Sequence, residues 1–370
     1  MGIYFDLTKA FDTVDHEILL YKLSSYGIRG HANDFFRSYL TNRKQFTFIN
    51  KTKSSIRNIN YGVPQGSVLG PLLFILYMND IQFAADPEKI RLFADDTGIF
   101  LSHKNLNQLI VDSEQFLIRL YNWFQDNKLT LNHKKSYFSI FHSKKRTIPR
   151  DLTFIEIPEI GVKIDRSNSV KYIGLILDEK LNFKDHTAAV IKSVTKFFGI
   201  FKNIKENISF KLARQLYFAF IYSRLKYGIE VYGSCSKTQM NKLQIVQNRL
   251  MKFLFRKPRM TSTNELHHEI KILKLNDLHD FSILQLVHNC LNKKCPLTFA
   301  EYFKKKASGH NTRQAKKLTI PGARLSGGQS RVQYKGVKLW NTTDDSIVSI
   351  KNINSFKKAL TNRYITQYQT

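Results

Sequence analysis

Two adjacent aspartates, Asp95 and Asp96, stand between two short apolar runs, Ile90-Arg91-Leu92-Phe93-Ala94 and Thr97-Gly98-Ile99-Phe100-Leu101. Carboxylates placed side by side repel unless a cation lies between them. A hard divalent metal held by oxygen ligands answers that repulsion. A third carboxylate, Asp6, interrupts the apolar run Ile3-Tyr4-Phe5-Asp6-Leu7. A charge in such a run is costly unless it is paired or metal-bound. Asp6, Asp95 and Asp96 together could hold two Mg²⁺ ions about 4 Å apart, with Mn²⁺ as a substitute. That arrangement clamps both oxygens of an in-line phosphoryl transfer. The plainer alternatives are an exposed Asp-Asp turn and an Asp6 satisfied by Lys9 or a backbone donor.

These residues need particular elements to meet. The runs around Asp95 and Asp96 are short and rich in Ile, Leu and Phe, which reads as two strands. Neighbouring strand residues point to opposite faces, so a tight hairpin turn is needed for both carboxylates to serve one site. A second feature is Tyr61-Gly62-Val63-Pro64-Gln65-Gly66-Ser67-Val68-Leu69-Gly70-Pro71, followed by an apolar helix from Leu72 to Met78. Its glycines let backbone approach a ligand closely, and Gln65 adds a donor and an acceptor. Taken alone it is also an ordinary Pro/Gly turn before a helix.

The chain has 370 residues, 42% of them hydrophobic, with a formal net charge of +29. That length suffices for two or three domains. The charge is lopsided: residues 1–183 hold 24 Lys+Arg against 19 Asp+Glu, and residues 184–370 hold 34 against 10. So large a positive field calls for a polyanion, nucleic acid first and an anionic membrane surface second. Three cysteines do not make a disulfide framework, which points to a reducing compartment. No signal peptide opens the chain, and the longest apolar run, Val68 to Met78, is too short to span a bilayer. The expected location is intracellular, nucleus or cytoplasm.

The order of three stretches is specific. Phe5-Asp6-Leu7-Thr8-Lys9-Ala10-Phe11-Asp12, Gly62-Val63-Pro64-Gln65-Gly66-Ser67 and Phe93-Ala94-Asp95-Asp96-Thr97 resemble the polymerase motifs of reverse transcriptases, most closely those of jockey-type non-LTR retrotransposons. Asn127-Lys128-Leu129-Thr130-Leu131-Asn132-His133-Lys134-Lys135, after Trp123, is similar to the motif ending in a catalytic-loop lysine. Val170 to Asp178 is similar to the primer-grip hairpin. The resemblance implies RNA-templated DNA synthesis, with an RNA template, a DNA primer, their hybrid and dNTPs as partners. It implies that Asp6, Asp95 and Asp96 bind metal and that Phe11 is the gate against a 2′-hydroxyl. It places Gln65 and Gly66 on the incoming nucleotide and template base. Lys135 matches the lysine that protonates pyrophosphate, with Lys134 taking the role if the register slips by one. The plain alternatives are a core aromatic for Phe11 and a solvated loop lysine for Lys135. The family normally has a fingers subdomain upstream, whereas Met1 lies five residues before Asp6. The simplest expectation is a fragment or a decayed element. A relic that only binds nucleic acid, a maturase-type polymerase and an RNA-templated RNA polymerase are the rival readings.

Further along, helices are expected over Asp15–Tyr26 and His31–Leu40, and a hairpin over Lys44–Asn50 and Lys53–Ile59 with a basic edge. Leu109, Ile110, Phe116, Leu117, Leu120 and Phe124 suit an amphipathic helix behind a sheet. The expected fold is α+β: an antiparallel polymerase palm over residues 1–183, a helical thumb over 184–300 and a basic extension over 301–370. In the helix from Met240 to Phe255, Leu243, Val246, Leu250 and Phe253 form the expected apolar stripe, with Lys242, Arg249, Lys252 and Arg256 around it. His288-x-Cys290-x4-Cys295 lacks the tight spacing of a zinc ligand pair. A buried thiol is expected at Cys290. Tyr302 to Thr343 contains ten Lys or Arg and no acid. It is expected to order on a polyanion, with Tyr302, Phe303, Tyr334 and Trp340 stacking on unpaired bases.

Overall fold

In the computed structural model, the structure describes residues 1–84, 86, 89–94, 96–143, 146–305 and 317–369. They form two compact units, Met1–Leu181 and Asn182–Thr370. The first is α+β. Its six-stranded sheet has the order β6 (Ile90–Phe93), β7 (Asp96–Phe100), β1 (Gly2–Phe5), β8 (Tyr137–Ser139), β10 (Val162–Arg166), β9 (Phe154–Ile157). Neighbours are antiparallel except β8 and β10, which run parallel.

Strand β1 is buried along its whole length. Ile3 and Phe5 join the core cluster with Ile99 and Phe138. The helix α1 (His16–Ser25), α2 (His31–Leu40), α3 (Leu69–Met78) and α4 (Leu106–Asp126) belong to the same unit. Leu19 and Leu23 of α1, Phe74 and Tyr77 of α3, and Phe116, Leu120 and Phe124 of α4 are all at most 1% exposed. Burying such side chains is the main driving force of the unit. Tyr4 points from β1 to the opposite face. Its ring lies 5.0 Å from Tyr172, on the hairpin β11 (Ser169–Tyr172) and β12 (Leu175–Asp178). A Cβ at Gly98 would come within 2.9 Å of that Tyr172 ring. The bare backbone of β7 thus lets the hairpin lie on the sheet.

Asp15 caps α1 through hydrogen bonds from the Glu17 and Ile18 amides, each 3.0 Å. Its other oxygen accepts from Lys128 at 2.6 Å. Burial pushes the Asp15 carboxyl up, but the Lys128 ammonium and the two amides outweigh burial and hold it below its ordinary value. Lys22 is a buried cation, donating to the Tyr77 carbonyl at 2.7 Å and to Asp80 at 2.6 Å. The basic hairpin is two short ladders, β2 (Arg43–Gln45) with β5 (Arg57–Ile59) and β3 (Phe48–Ile49) with β4 (Thr52–Lys53).

The second unit is helical: α5 (Lys184–Thr195), α6 (Phe197–Ile204), α7 (Phe210–Leu216), α8 (Lys237–Leu254), α9 (Thr263–Ile270), α10 (Leu275–Leu291), α11 (Val332–Thr342) and α12 (Ile353–Thr366), with shorter turns between. Helix α8 buries Leu243, Gln247, Leu250, Met251 and Leu254. Val246 and Phe253 are only half-buried, so the expected stripe is shifted around the helix. Gln247 is buried because its amide donates to the Tyr217 hydroxyl at 2.8 Å and the Leu273 carbonyl at 3.1 Å. A buried amide satisfied this way is permitted.

Two expectations for the C-terminal stretch are corrected. Residues 306–316 of that stretch lie outside the described residues, and 317–343 are folded without a polyanion, since α11 packs on α10. Trp340 is 6% exposed and Phe303 is 3% exposed, so neither ring can stack on a base. Trp340 packs instead on Phe356, with centroids 6.0 Å apart. Asn341 also brackets Leu318, accepting from its amide at 2.8 Å and donating to its carbonyl at 2.9 Å. Cys290 is buried.

His267 is fully buried on α9, and its Nδ1–H donates to the Ile272 carbonyl at 2.8 Å. Burial lowers its pKa from 6.5 to about 4. Burial and the Lys335 ammonium take His279 down to about 3. Both rings bind a proton more weakly folded than unfolded. Their contribution to stability is therefore full above pH 6.5 and is lost as pH falls towards the folded values. Chemical denaturation at pH 7 and pH 5 should show a loss of about 2 kcal/mol from His267. His267→Gln should shrink that difference.

Candidate active site

The sheet sets the first cluster. In the β1–β7 ladder Phe5 faces Thr97. Asp6 is the next residue on one strand and Asp96 the preceding one on the other. Both therefore emerge at the same end of two paired strands. They line one cleft of about 530 Å³ with Lys135 and Tyr172. The β6–β7 hairpin turns through Ala94, whose φ of +51° is the left-handed region. Phe93 and Asp96 close the turn as a pair. Asp95, expected as the third carboxylate, lies outside the described residues.

Asp6 is held from its own chain's later residues. Its carbonyl accepts from the Asn132 amide at 2.9 Å. Its Oδ2 accepts from Asn132 Nδ2 at 3.2 Å. Lys135 Nζ lies 3.6 Å from the same oxygen. The segment around them is a short 3₁₀ turn, His133–Lys135. It is fixed by the Ser136 hydroxyl, which donates to the Asn132 carbonyl at 2.9 Å. Sequence reading had Lys135 beside the site but no role for Asn132. Its amide-to-carboxylate bond spans 126 positions, and nothing local signals such a pairing.

The donor chemistry fits a hard cation. The two described carboxylates offer only oxygen, and one Asp6 oxygen is already oriented by Asn132. Asp6 and Asp96 would hold a divalent ion at the mouth of the strands. Among the described residues no cluster of three His, Cys, Asp or Glu ligands is found. Tyr172 on the far wall is half-buried, and burial and then the Asp96 charge push its hydroxyl pKa up.

The second cluster is a zipper between two loops. The Val63 amide donates to the Phe11 carbonyl at 2.8 Å and the Gly62 amide to the Val14 carbonyl at 2.8 Å. Gln65 Nε2 donates to Asp12 Oδ1 at 2.8 Å. His16 Nε2 donates to the Gly62 carbonyl at 2.8 Å. Gln65 is thereby tied to the turn that carries Phe11. Gly66, with φ of +79°, has open space where a Cβ would stand. The half-buried Phe11 ring stacks on Phe74 of α3 with centroids 4.5 Å apart. Gly62 has φ of +87°, and a Cβ there would lie 2.8 Å from Asp12 Cα. Gly62→Ala combines left-handed strain with overpacking. It should cost roughly 3 kcal/mol, read as a lower midpoint in urea without a change in slope.

The family model for the reverse transcriptase (RNA-dependent DNA polymerase) matches residues 1–177. These residues are a reverse transcriptase domain. The resemblance read from the motif order thus holds. The chain is 28% identical to the probable RNA-directed DNA polymerase from transposon BS of Drosophila melanogaster over 287 residues, 73% of this chain and 30% of that protein. It is 27% identical to the RNA-directed DNA polymerase from mobile element jockey of the same organism, over 75% of this chain and 31% of the other. The chain therefore spans about 30% of the length of these relatives. Among solved structures, telomerase from Candida tropicalis in complex with a fragment of telomeric RNA aligns over 76% of this chain and 46% of its own, at 13% identity and a TM-score of 0.36. No helix among the described residues is long and apolar enough to cross a membrane.

Proposed function

We propose that the reverse transcriptase domain of this chain carries out RNA-templated DNA synthesis for a jockey-like retrotransposon, inside the cell. The observation that carries the reading is the strand register that brings Asp6 and Asp96 to one cleft beside Lys135. In this reading a primer 3′-hydroxyl attacks the α-phosphorus of a dNTP and pyrophosphate leaves. Two Mg²⁺ ions, when bound, would lower the pKa of the hydroxyl and neutralise charge on the phosphates. Asp6, Asp96 and Asp95 would hold those ions. Asn132 fixes the Asp6 carboxylate. Lys135 supplies the proton to the departing pyrophosphate. Gln65 and Gly66 form the floor beneath the incoming nucleotide and its template base.

Phe11 is the wall against a 2′-hydroxyl, and its stacking on Phe74 supports that role by making the wall rigid. Phe11→Val should raise the ratio of UTP to dTTP incorporation by on the order of tenfold. An unchanged ratio would assign Phe11 to the core alone.

Residues 1–183 are the palm in this proposal, 184–300 the thumb and 301–370 an extension. The thumb reading is supported by α8, where Lys242, Arg249 and Lys252 lie outside the buried stripe, with Arg256 just past the helix end. A row of cations on a rigid helix suits the phosphates of an RNA–DNA hybrid. The test is primer extension on poly(rA)·oligo(dT) with Mg²⁺. Incorporation of dTMP is expected, and a preference for UMP would overturn the DNA-polymerase assignment.

A further inference from the structure

The hairpin from Arg43 to Ile59 is unlike the rest of its unit. It carries five cations, Arg43, Lys44, Lys51, Lys53 and Arg57, and the sequence has no acid between Asp34 and Asp80. No carboxylate within the hairpin offsets that charge. The same hairpin exposes large apolar groups: Phe46 51%, Phe48 64% and Ile49 63%. Exposed aromatic rings on a short edge are a liability that proteins otherwise avoid. Here cations interleave them, and Lys53 Nζ sits 4.0 Å over the Phe46 ring.

The scaffold is nonetheless ordered. Ladder pairs Arg43–Ile59 and Phe48–Lys53 frame it. Between them the Thr47 amide donates to Ser54 Oγ at 2.8 Å and the Ser54 amide to the Thr47 carbonyl at 2.9 Å. The tip, Asn50-Lys51, has φ of +48° and +65°. Two consecutive left-handed residues are the turn that matches strand twist. The base of the hairpin runs through Asn60 and Tyr61, which bridges Asp15, into the Gly62–Gly66 loop. From Arg43 to Ile49 the hairpin reaches roughly 20 Å away from that loop at about 3.3 Å per residue.

Aromatic faces set among uncompensated cations are what an unpaired nucleic-acid strand needs: rings for bases, ammonium and guanidinium groups for phosphates. A duplex would use the cations but has no unstacked base for the rings. We propose that this hairpin is the platform for the unpaired template strand as it approaches the Gly62–Gly66 loop. The inference rests on the polymerase reading above and adds to it where the single-stranded template is held.

Fluorescence anisotropy on the whole chain tests it. The probes are a blunt primer–template duplex and the same duplex with a 5′ template overhang of about eight nucleotides. The overhang should tighten binding by about tenfold, and Phe46→Ala/Phe48→Ala should remove that advantage. Phe48→Trp, which keeps a stacking face, should retain it. If the alanine variant keeps the advantage, or the overhang confers none on the wild type, the platform is wrong and the rings belong to a protein contact. Failure of the polymerase reading is seen separately, as absent Mn²⁺ binding at Asp6 and Asp96, which does not involve the hairpin.

Discussion

Asp96→Asn and Asp6→Asn should each reduce primer extension by on the order of 10³-fold or more, with little change in thermal stability. The size follows from what is lost. Each substitution replaces an anionic oxygen donor to a hard cation with a neutral amide, and metal-assisted phosphoryl transfer takes most of its acceleration from charge neutralisation. A factor of 10³ corresponds to about 4 kcal/mol of transition-state stabilisation. The small effect on folding follows from exposure. The Asp6 side chain is 35% exposed, and its contacts are a hydrogen bond from Asn132 and an exposed ion pair with Lys135 at 3.6 Å. Asn132→Ala should fall between wild type and the aspartate variants, about 10- to 100-fold down, as expected for a residue that orients a metal ligand. The assay should be run on the chain and on a longer polymerase of its relatives' length that contains it. Equal extension by wild type and Asp96→Asn would remove Asp96 from the mechanism.

Nucleic-acid affinity should fall by on the order of 10²-fold between 50 and 200 mM salt, a log–log slope of about −4. The slope counts phosphates neutralised, at about 0.9 per contact. Helix α8 offers Lys242, Arg249 and Lys252 outside its buried stripe, and Arg256 follows two residues past its end with φ of +54°. Offsets of seven and three residues keep the three helical cations on neighbouring faces. Arg249→Gln with Arg256→Gln should flatten the slope by about 2. They should weaken all sequences alike, because phosphate contacts carry no sequence information. Affinity indifferent to salt would contradict the phosphate-contact reading of the helical unit.

Much of the site was legible because its residues are marked by local conflict. Asp6 stands out as a charge in an apolar run, and Gly62 and Gly66 as glycines of a Pro/Gly loop; the structure gives the glycines φ of +87° and +79°. Strand and helix positions followed from periodicity, as in α4, where Phe116, Leu120 and Phe124 are all buried. What escaped were partners brought together only by tertiary structure. The bond from Asn132 to Asp6 and the Tyr172 ring over Gly98 join residues more than seventy positions apart. Gln247 is buried by the Tyr217 hydroxyl and the Leu273 carbonyl, 30 and 26 positions away along the chain. The C-terminal stretch misled for a different reason. Its Gly- and Lys-rich composition suggests a solvated chain. Val337 and Trp340 are nonetheless buried, and the helix that carries them packs on α10.

The most direct test of the account is Mn²⁺ binding followed by electron paramagnetic resonance, since it needs neither template nor turnover. Wild-type chain should take up Mn²⁺ in competition with Mg²⁺, and the Asp6→Asn/Asp96→Asn double variant should leave the ion free in solution. Identical Mn²⁺ uptake by the two proteins would contradict the assignment of these strand ends as the metal-holding centre of a polymerase.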